Sequence, residues 1–207
     1  MKNLPDKTVE RLSQYRRSLN NQLEKGKTHI FSHEIANLLH ITPVQVRRDI
    51  MLIGYSGTLR KGYDIKEMID LIGKIIDTDE GQKIAVIGLG NLGKAFIHYL
   101  QEKKSKLDIV AAFDINPEKI NRSYADVYCY HFNLLDDIVN KLGIKIGIIT
   151  TPPEVVPDIA KRLAEAGIKG ILNFTPKPLN EQDDVYLEEY DMITSLEKVA
   201  YFVKIKD

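Results

Sequence analysis

A glycine-rich turn in the second half of the chain carries the clearest chemistry in the sequence. The turn consists of Gly88, Leu89, Gly90, Asn91, Leu92 and Gly93. It directly follows the β-branched run 83–87 and precedes a helical stretch that reaches about residue 101. In a strand, turn and helix of this kind, glycines allow backbone amides to approach a diphosphate at the helix N-terminus. We therefore expect residues 88–93 to bind a dinucleotide.

An acidic residue at a suitable distance strengthens this prediction. The next apolar run, 109–113, ends in Asp114, which lies 21 residues after Gly93. Dinucleotide-binding folds place there the carboxylate that accepts the ribose hydroxyls, and this carboxylate would repel a 2′-phosphate. The sequence therefore favours NADH and NAD over their phosphorylated counterparts. Thr151 and Pro152, at the end of a predicted inner strand, would face the same ligand, although a rigid turn explains them nearly as well.

Alternating strands and helices predict the architecture around this turn. After the strand that ends at Asp114, apolar patterning predicts strands near 127–129, 144–150 and 170–174, with helices at 134–140 and 154–166. This alternation indicates a Rossmann-like, doubly wound parallel sheet. We assign it to residues 79–186.

The first half of the chain has the pattern of a helix-turn-helix. Apolar residues recur at helical spacing over 8–24, 33–39 and 43–53. The third helix is well marked at its start, because Thr42 is a favourable N-cap, Pro43 suits the first helical position and Gln45 completes a capping box.

The third helix has the composition of a DNA recognition helix. Val46, Ile50 and Ile53 would face inward, which leaves the polar residues Gln45, Arg47, Arg48 and Asp49 on flanks that can face outward. Arg can donate two hydrogen bonds to guanine and Gln can pair with adenine in a major groove. A three-helix unit that binds a protein partner remains the alternative.

A basic, glycine-punctuated stretch follows at 54–63 and predicts a β-hairpin, so the first domain would be a winged helix over residues 1–78. Arg60 and Lys61 at its tip could contact a minor groove or phosphates, or could be exposed charges without a specific role. Residues 1–78 contain 13 Lys and Arg against 9 Asp and Glu, whereas residues 79–207 contain 16 against 20. The first half is therefore the one suited to a polyanion.

Several classes of protein are disfavoured. Only 33 residues follow Phe174, so no separate domain remains to hold a substrate, and the five histidines show no catalytic spacing. We therefore expect no catalytic residues.

The single cysteine, Cys129, excludes an internal disulfide and a multi-cysteine metal site, and we expect it to fill core space. No apolar run is long enough to span a membrane and the N-terminus lacks a signal peptide, so we expect a cytoplasmic protein.

The last segment, 187–207, predicts an amphipathic helix from 191 to 204. Met192, Leu196, Val199 and Val203 lie on one helical stripe, with Ile193 and Ala200 beside it. Such a helix must bury its apolar face. It can fold back on its own domain or insert into a second subunit, and we favour insertion because DNA-binding proteins of this kind usually dimerise.

The chain closely resembles the Rex family of redox-sensing transcriptional repressors over nearly its whole length. The segments that carry the resemblance are 42–49, 62–64, 88–93, 111–114 and 166–174. The resemblance implies a homodimer, with a domain-swapped C-terminal helix, that binds a pseudo-palindromic operator when NADH is scarce and releases it when NADH binds. It also implies that Arg17, Tyr99 and Asp191 exchange partners between the two states.

The chain departs from the family pattern at three places. The family's wing usually contains Lys-Arg-Gly-Val-Gly, whereas residues 58–62 here are Thr-Leu-Arg-Lys-Gly. His40 replaces the usual turn glycine, and Arg48 stands where Lys is common. We therefore expect the operator sequence to differ.

Two other functions compete with this interpretation. A small NAD-dependent dehydrogenase would turn over an alcohol or a hydroxy acid without binding an operator. A non-catalytic module could instead bind coenzyme A or an adenine nucleotide and regulate a protein partner.

Overall fold

A computed structural model describes residues 4–58, 60–101, 106–180 and 184–206. The chain forms two compact units, residues 1–78 and residues 79–207.

The first unit is a small helical domain with a short two-stranded sheet. Its elements are α1 (Asp6–Glu24), β1 (His29–Ile30), α2 (Ser32–Leu39), α3 (Pro43–Leu52), β2 (Tyr63–Asp64) and α4 (Ile65–Ile76). Helices α2 and α3 form the predicted helix-turn-helix. Helix α4, predicted only as a connection, is part of the core, since Ile65, Met68 and Ile72 are buried together with Leu12 and Leu19 of α1.

Local sequence explains the turn between α2 and α3. His40 ends α2 in the left-handed conformation, with φ at +54°, and its N–H donates to the carbonyl of Ala36. A histidine adopts this conformation less easily than the glycine that such a turn favours. Helix α3 then begins as predicted, with the Thr42 hydroxyl accepting the N–H of Gln45 at 3.2 Å and Pro43 in the first turn.

The wing is shorter than the hairpin predicted over 54–63. Thr58 and Gly62 form one antiparallel bridge, with N···O distances of 2.9 and 2.8 Å. The returning strand β2 pairs instead with β1, with Tyr63 opposite Ile30. Gly62 has φ at +77°, and a Cβ there would lie 2.5 Å from the carbonyl oxygen of Ile30, so only glycine fits.

A buried carboxylate connects α3 to α1. Asp49 is only 2% exposed, which contradicts the prediction that it faces outward. Its carboxylate accepts hydrogen bonds from Arg11 Nε at 2.6 Å, Arg11 Nη2 at 2.8 Å and the Tyr15 hydroxyl at 2.7 Å. Burial alone would raise the pKa of Asp49, but the bonds from Arg11, Tyr15 and Gln45 outweigh burial and hold this pKa below its usual range.

The second unit is a seven-stranded, mostly parallel sheet with helices between the strands. Its elements are β3 (Gln82–Ile87), α5 (Asn91–Gln101), β4 (Leu107–Asp114), β5 (Arg122–Tyr124), β6 (Val127–His131), α6 (Leu135–Leu142), β7 (Ile146–Ile149), α7 (Val156–Glu165), β8 (Gly170–Asn173), β9 (Tyr186–Glu189) and α8 (Met192–Lys206). The strand order is β5-β6-β4-β3-β7-β8-β9, and β5 alone is antiparallel to its neighbour. The six parallel strands have Rossmann topology, with the switch point between β3 and β7.

Two strands were absent from the sequence prediction. The short strand β5 extends one edge of the sheet, and β9 pairs in parallel with β8 at the other edge. Because β9 spans 186–189, the predicted boundary at 186 cuts through a strand of the sheet. The last helix begins at Met192 rather than at residue 191.

The sheet is buried on both faces. One face packs Ile87, Phe113 and Ile149 against α6 and α7, and the other packs Val86, Ala112 and Ile148 against α5. Cys129 is fully buried in the second cluster, as predicted, and burial raises the pKa of its thiol to about 11. No helix among the described residues is both long and apolar enough to cross a membrane.

Helix α8 leaves its apolar side chains exposed in the described part of the chain. Its large apolar residues are all more than half exposed: Met192, Ile193, Leu196, Val199, Tyr201, Phe202, Val203 and Ile205. Tyr201, Phe202 and Ile205 lie outside the predicted stripe, so the helix is apolar around most of its circumference. A helix of this kind requires burial against another surface.

We predict that Asp49→Ala destabilises the first unit by about 3 kcal/mol, because it leaves Arg11 and Tyr15 without their buried acceptor. Urea unfolding followed by circular dichroism measures the loss. The depressed pKa of Asp49 means that its contribution is complete above about pH 4 and is lost as the pH falls towards the lower folded-state pKa. The difference between wild type and variant should therefore shrink below about pH 4.

The matched control is Asp70→Ala, which removes an exposed carboxylate from α4 and should change stability by less than about 0.5 kcal/mol. Equal losses for the two variants would contradict a structural role for Asp49.

Candidate functional site

The glycine turn joins the end of β3 to the start of α5. Gly88 has φ at +93°, and a Cβ there would lie 2.7 Å from Cγ2 of Thr151. A Cβ on Gly93 would lie 2.3 Å from the carbonyl oxygen of Gly88, so glycine is required for α5 to start this close to the strand. A Cβ on Gly90 would meet nothing within 4 Å. The first and third glycines therefore shape the turn, and the second leaves open space beside it.

The start of α5 offers donors to an anion. The first N–H groups of a helix have no intrahelical partner, and here they belong to Asn91, Leu92 and Gly93. A helix N-terminus also carries partial positive charge. Backbone amides, partial charge and the open space at Gly90 together suit a diphosphate.

The carboxylate of Asp114 lies beside this turn at the end of β4. Its Oδ2 accepts the N–H of Leu89 at 2.8 Å and Nζ of Lys119 at 3.0 Å. Its Oδ1 accepts the N–H groups of Ile115 and Asn116, at 2.8 and 2.9 Å. Burial would raise the pKa of Asp114, but the backbone bonds and Lys119 outweigh burial, so this pKa is lowered and the group is ionised at neutral pH. The carboxylate that the sequence predicts as the ribose acceptor therefore lies next to the glycine turn, where it is paired with Lys119.

The loop after β7 forms the other side of the site. The Thr150 hydroxyl donates to the carbonyl of Gly88 at 2.7 Å and so connects the loop to the glycine turn. Among the described residues, Thr151 has a buried hydroxyl oxygen without a hydrogen-bond partner. A buried unpaired hydroxyl is costly, and a bound ligand at this position would satisfy it. Pro152 follows and directly precedes a short 3₁₀ helix, Pro153–Val155.

These features fit a dinucleotide such as NADH. Residues 88–93 would hold the diphosphate, Asp114 the ribose hydroxyls, and Thr151 and Pro152 a more distal part of the ligand.

No cluster of His, Cys, Asp or Glu suited to a metal occurs in the part of the chain that the structure covers. Of the two histidines in the second unit, His98 is exposed on α5, and His131 accepts the N–H of Asn133 beyond β6.

Helix α3 presents a mixed basic and apolar surface. Arg47 and Arg48 are exposed as predicted. Val44 and Met51 share this exposed side and are 48% and 75% exposed. The sequence analysis did not assign Val44 and Met51 to this surface, because apolar residues are expected in the core. Each of them lies three residues from one arginine and four from the other, and this spacing indicates a shared face of the helix.

The side chain of Gln45 is hydrogen-bonded within its own helix. It is half-buried, and its amide nitrogen donates to Oδ1 of Asp49 at 3.0 Å. A carboxylate accepts only, so this bond uses one of the two N–H groups of the amide, and the amide oxygen and the second N–H remain available to another molecule. At the wing, Arg60 and Lys61 are both exposed, and the N–H of Lys61 donates to the Thr58 hydroxyl. Leu59, between them and Thr58, lies outside the described residues.

The three residues implied as a switch occupy different elements. Arg17 is exposed on α1, and Tyr99 is 53% exposed on α5. Asp191 caps α8, because its carboxylate accepts the N–H groups of Ile193 and Thr194 at 2.9 and 3.1 Å. The hydrogen bond from the Thr194 hydroxyl, followed by the two backbone bonds, lowers the pKa of Asp191.

Comparison with known families agrees with both halves of the chain. A family model described as "CoA binding domain" matches residues 79–177, and one described as "Putative DNA-binding protein N-terminus" matches residues 3–50. The redox-sensing transcriptional repressor Rex of Listeria welshimeri is 34% identical over 201 residues, which covers 97% of this chain and 94% of that protein.

Solved structures agree over the full length. The chain aligns with RSP, a Rex-family repressor solved with β-NAD⁺ and operator DNA, at a TM-score of 0.91 and 32% identity, covering 100% of this chain and 95% of RSP. The structure of RSP with β-NADH aligns at a TM-score of 0.85 and 31% identity, covering 100% and 97%. The glycine turn with Asp114, the helix-turn-helix and these full-length matches together show that the chain belongs to the Rex family of redox-sensing transcriptional repressors.

Proposed function

We propose that this protein is a transcriptional repressor that binds operator DNA when NADH is scarce and leaves it when NADH binds. The observation that carries the proposal is the presence in one chain of a dinucleotide site, built from the glycine turn and Asp114, and a helix-turn-helix with Arg47 and Arg48 exposed on α3. The relative RSP was solved with operator DNA and with nicotinamide dinucleotides. These structures support the assignment of the first half of the chain to DNA binding and of the second half to dinucleotide binding.

The charge of the nicotinamide ring supplies the physical driver. The oxidised ring is positively charged and the reduced ring is neutral, so an apolar ring pocket prefers NADH because burial of an unpaired charge is costly. A ligand shifts a conformational equilibrium only by its difference in affinity for the two states. If the state released from DNA binds NADH more tightly than the DNA-bound state does, NADH shifts the protein towards the released state and so weakens operator binding.

The contacts follow from the two surfaces. Residues 88–93, Asp114, Thr151 and Pro152 bind the dinucleotide. Gln45, Arg47 and Arg48 contact the major groove, and Arg60 and Lys61 contact the backbone or the minor groove. Arg17, Tyr99 and Asp191 exchange partners between the two states.

The competing functions have less support. The full-length similarity is to repressors rather than to enzymes, so the dehydrogenase alternative is set aside. Coenzyme A is named in the matching family description, but the relative RSP was solved with nicotinamide dinucleotides. Coenzyme A therefore serves as a competitor in the binding experiments below.

The working form is a homodimer on a pseudo-palindromic operator. Helix α8 is apolar around most of its circumference, and insertion into a second copy would bury it on more than one side. Two-fold related recognition helices also match two half-sites of DNA. Because a repressor acts where the chromosome is, we assign the protein to the cytoplasm.

We predict that NADH, but not an equal concentration of NAD⁺, releases the operator in a band-shift assay. Asp114→Ala should weaken NADH binding by about 10-fold or more, since a charge-assisted hydrogen bond to the ribose contributes about 1.5–3 kcal/mol. Fluorescence titration with NADH and coenzyme A measures the affinities directly.

The control for this experiment is Asp108→Ala, which removes an exposed carboxylate from the opposite end of β4 and should leave NADH affinity unchanged. Equal release by NADH and NAD⁺ would refute redox sensing, and tighter binding of coenzyme A than of NADH would favour the competing module.

We predict that Arg47→Ala weakens operator binding by about 1–3 kcal/mol and relaxes specificity at one base pair, as the loss of a contact to a base edge would. Lys61→Ala should weaken binding evenly across sequences and reduce the salt dependence by about one phosphate contact. Arg122→Ala, an exposed arginine on β5, is the charge-matched control. If all three variants bound alike, the assignment of α3 and the wing would be wrong.

We predict that Leu196→Glu converts the dimer to a monomer, because it places a charge on the apolar surface of α8. Analytical ultracentrifugation gives the mass, and the band-shift assay gives the expected loss of operator affinity. Glu197→Gln, at the adjacent position, should leave the dimer intact. A dimeric Leu196→Glu variant would show that α8 is not the subunit contact.

A further inference from the structure

The carboxylate of Asp114 has no acceptor position left for a ribose hydroxyl. Four N–H donors are bonded to it: the backbone amides of Leu89, Ile115 and Asn116 and the ammonium of Lys119, at 2.8 to 3.0 Å. Each oxygen accepts two of them. A carboxylate offers about four lone-pair sites in total, so its capacity is filled.

Three of the four donors are fixed by the fold. The amides of Ile115 and Asn116 belong to the turn that begins at Asp114, and the amide of Leu89 belongs to the glycine turn. Their displacement would require the backbone to move. Lys119 differs because its ammonium lies at the end of a flexible stem, and its side chain is 29% exposed whereas that of Asp114 is 8% exposed.

The turn after β4 keeps Lys119 close to Asp114 in any case. The carbonyl of Asn116 accepts the N–H groups of Lys119 and Ile120, at 2.9 and 3.2 Å. The Asn116 side chain accepts the N–H of Glu118 at 2.9 Å. The backbone of Lys119 is therefore held, and only its side chain is free to turn towards a ligand.

A ribose hydroxyl that binds Asp114 must therefore replace Lys119 at Oδ2. The displaced ammonium can donate to the same hydroxyl, since a hydroxyl both donates and accepts. A 2′-phosphate in place of the hydroxyl would be repelled by Asp114 but attracted by Lys119. Lys119 thus opposes the selectivity that Asp114 imposes.

We propose that Lys119 is the exchangeable partner of Asp114 and sets how strongly this site rejects 2′-phosphorylated dinucleotides. This inference rests on the proposed dinucleotide site. Asp114 excludes the phosphate, Lys119 limits the exclusion, and Lys119 becomes a phosphate-binding residue once the carboxylate is neutralised.

The test is a double-mutant cycle on the full-length chain, with dissociation constants for NADH and NADPH measured by nucleotide fluorescence. Lys119→Gln should raise the NADPH-to-NADH ratio of dissociation constants by about 10-fold, because a cation next to the phosphate is lost. Asp114→Asn should lower that ratio by a similar factor. In the double variant the gain for NADPH should disappear, since it requires Lys119.

Lys161→Gln is the matched control, because it removes an exposed lysine from α7 and should leave both constants unchanged. Circular dichroism confirms that each variant is folded. An unchanged ratio in Lys119→Gln, or an NADPH gain that persists in the double variant, overturns the inference while NADH binding by the wild type still supports the proposed function. A wild-type chain that binds neither nucleotide overturns both.

Discussion

The contact between the first turn of α5 and the end of β3 is the constraint on which the nucleotide site depends. A Cβ on Gly93 would lie 2.3 Å from the carbonyl oxygen of Gly88, a separation that no side chain tolerates. With glycine there, α5 starts directly at the edge of the sheet and its unpaired amides lie next to the open space at Gly90. The same approach places the N–H of Leu89 within 2.8 Å of Asp114. Diphosphate binding and ribose binding are therefore two consequences of one packing contact.

The DNA-binding unit depends on a buried charge instead of a close backbone approach. Asp49 binds Arg11 and Tyr15 of α1 and also the amide of Gln45 on its own helix. The desolvation cost of this buried ion pair is offset by its hydrogen bonds, and removal of one partner would leave a buried group unpaired, so the pair holds α3 against α1. The exposed side of α3, with Arg47 between Val44 and Met51, is oriented as a result.

Helix α8 is the element whose apolar side chains remain exposed in the described part of the chain. Its apolar residues would be costly in water, and the 15-residue helix has no packed partner among the described residues of this chain. A second copy would provide that partner and would also supply the second recognition helix that a two-half-site operator needs. Dimerisation and DNA binding would then depend on each other.

Much of this structure follows from sequence alone. Local rules sufficed for α3, whose start at Thr42 and Pro43 was predicted from capping preferences, and for the alternation of strands and helices, whose periods differ. The glycine turn was found because Gly88 and Gly93 meet backbone requirements that other residues do not, and Asp114 because it ends the next strand at the expected spacing. Capping preferences and the periods of helices and strands act within a few residues of chain, which is why the sequence alone determines them.

Other features depended on contacts between distant segments. The inward position of Asp49 is set by Arg11, which lies 38 residues away, so its charge gave a misleading prediction of exposure. The strands β5 and β9 are only three and four residues long, and each pairs with the neighbouring edge of the sheet, whose hydrogen-bonding groups are otherwise unpaired. The pairing of Lys119 with Asp114 likewise exists only once the turn at Asn116 has formed. The sequence by itself determined which ligands this protein is built to bind. The tertiary structure decided which side chains are free to contact those ligands, because burial and pairing depend on neighbours that come together only when the chain folds.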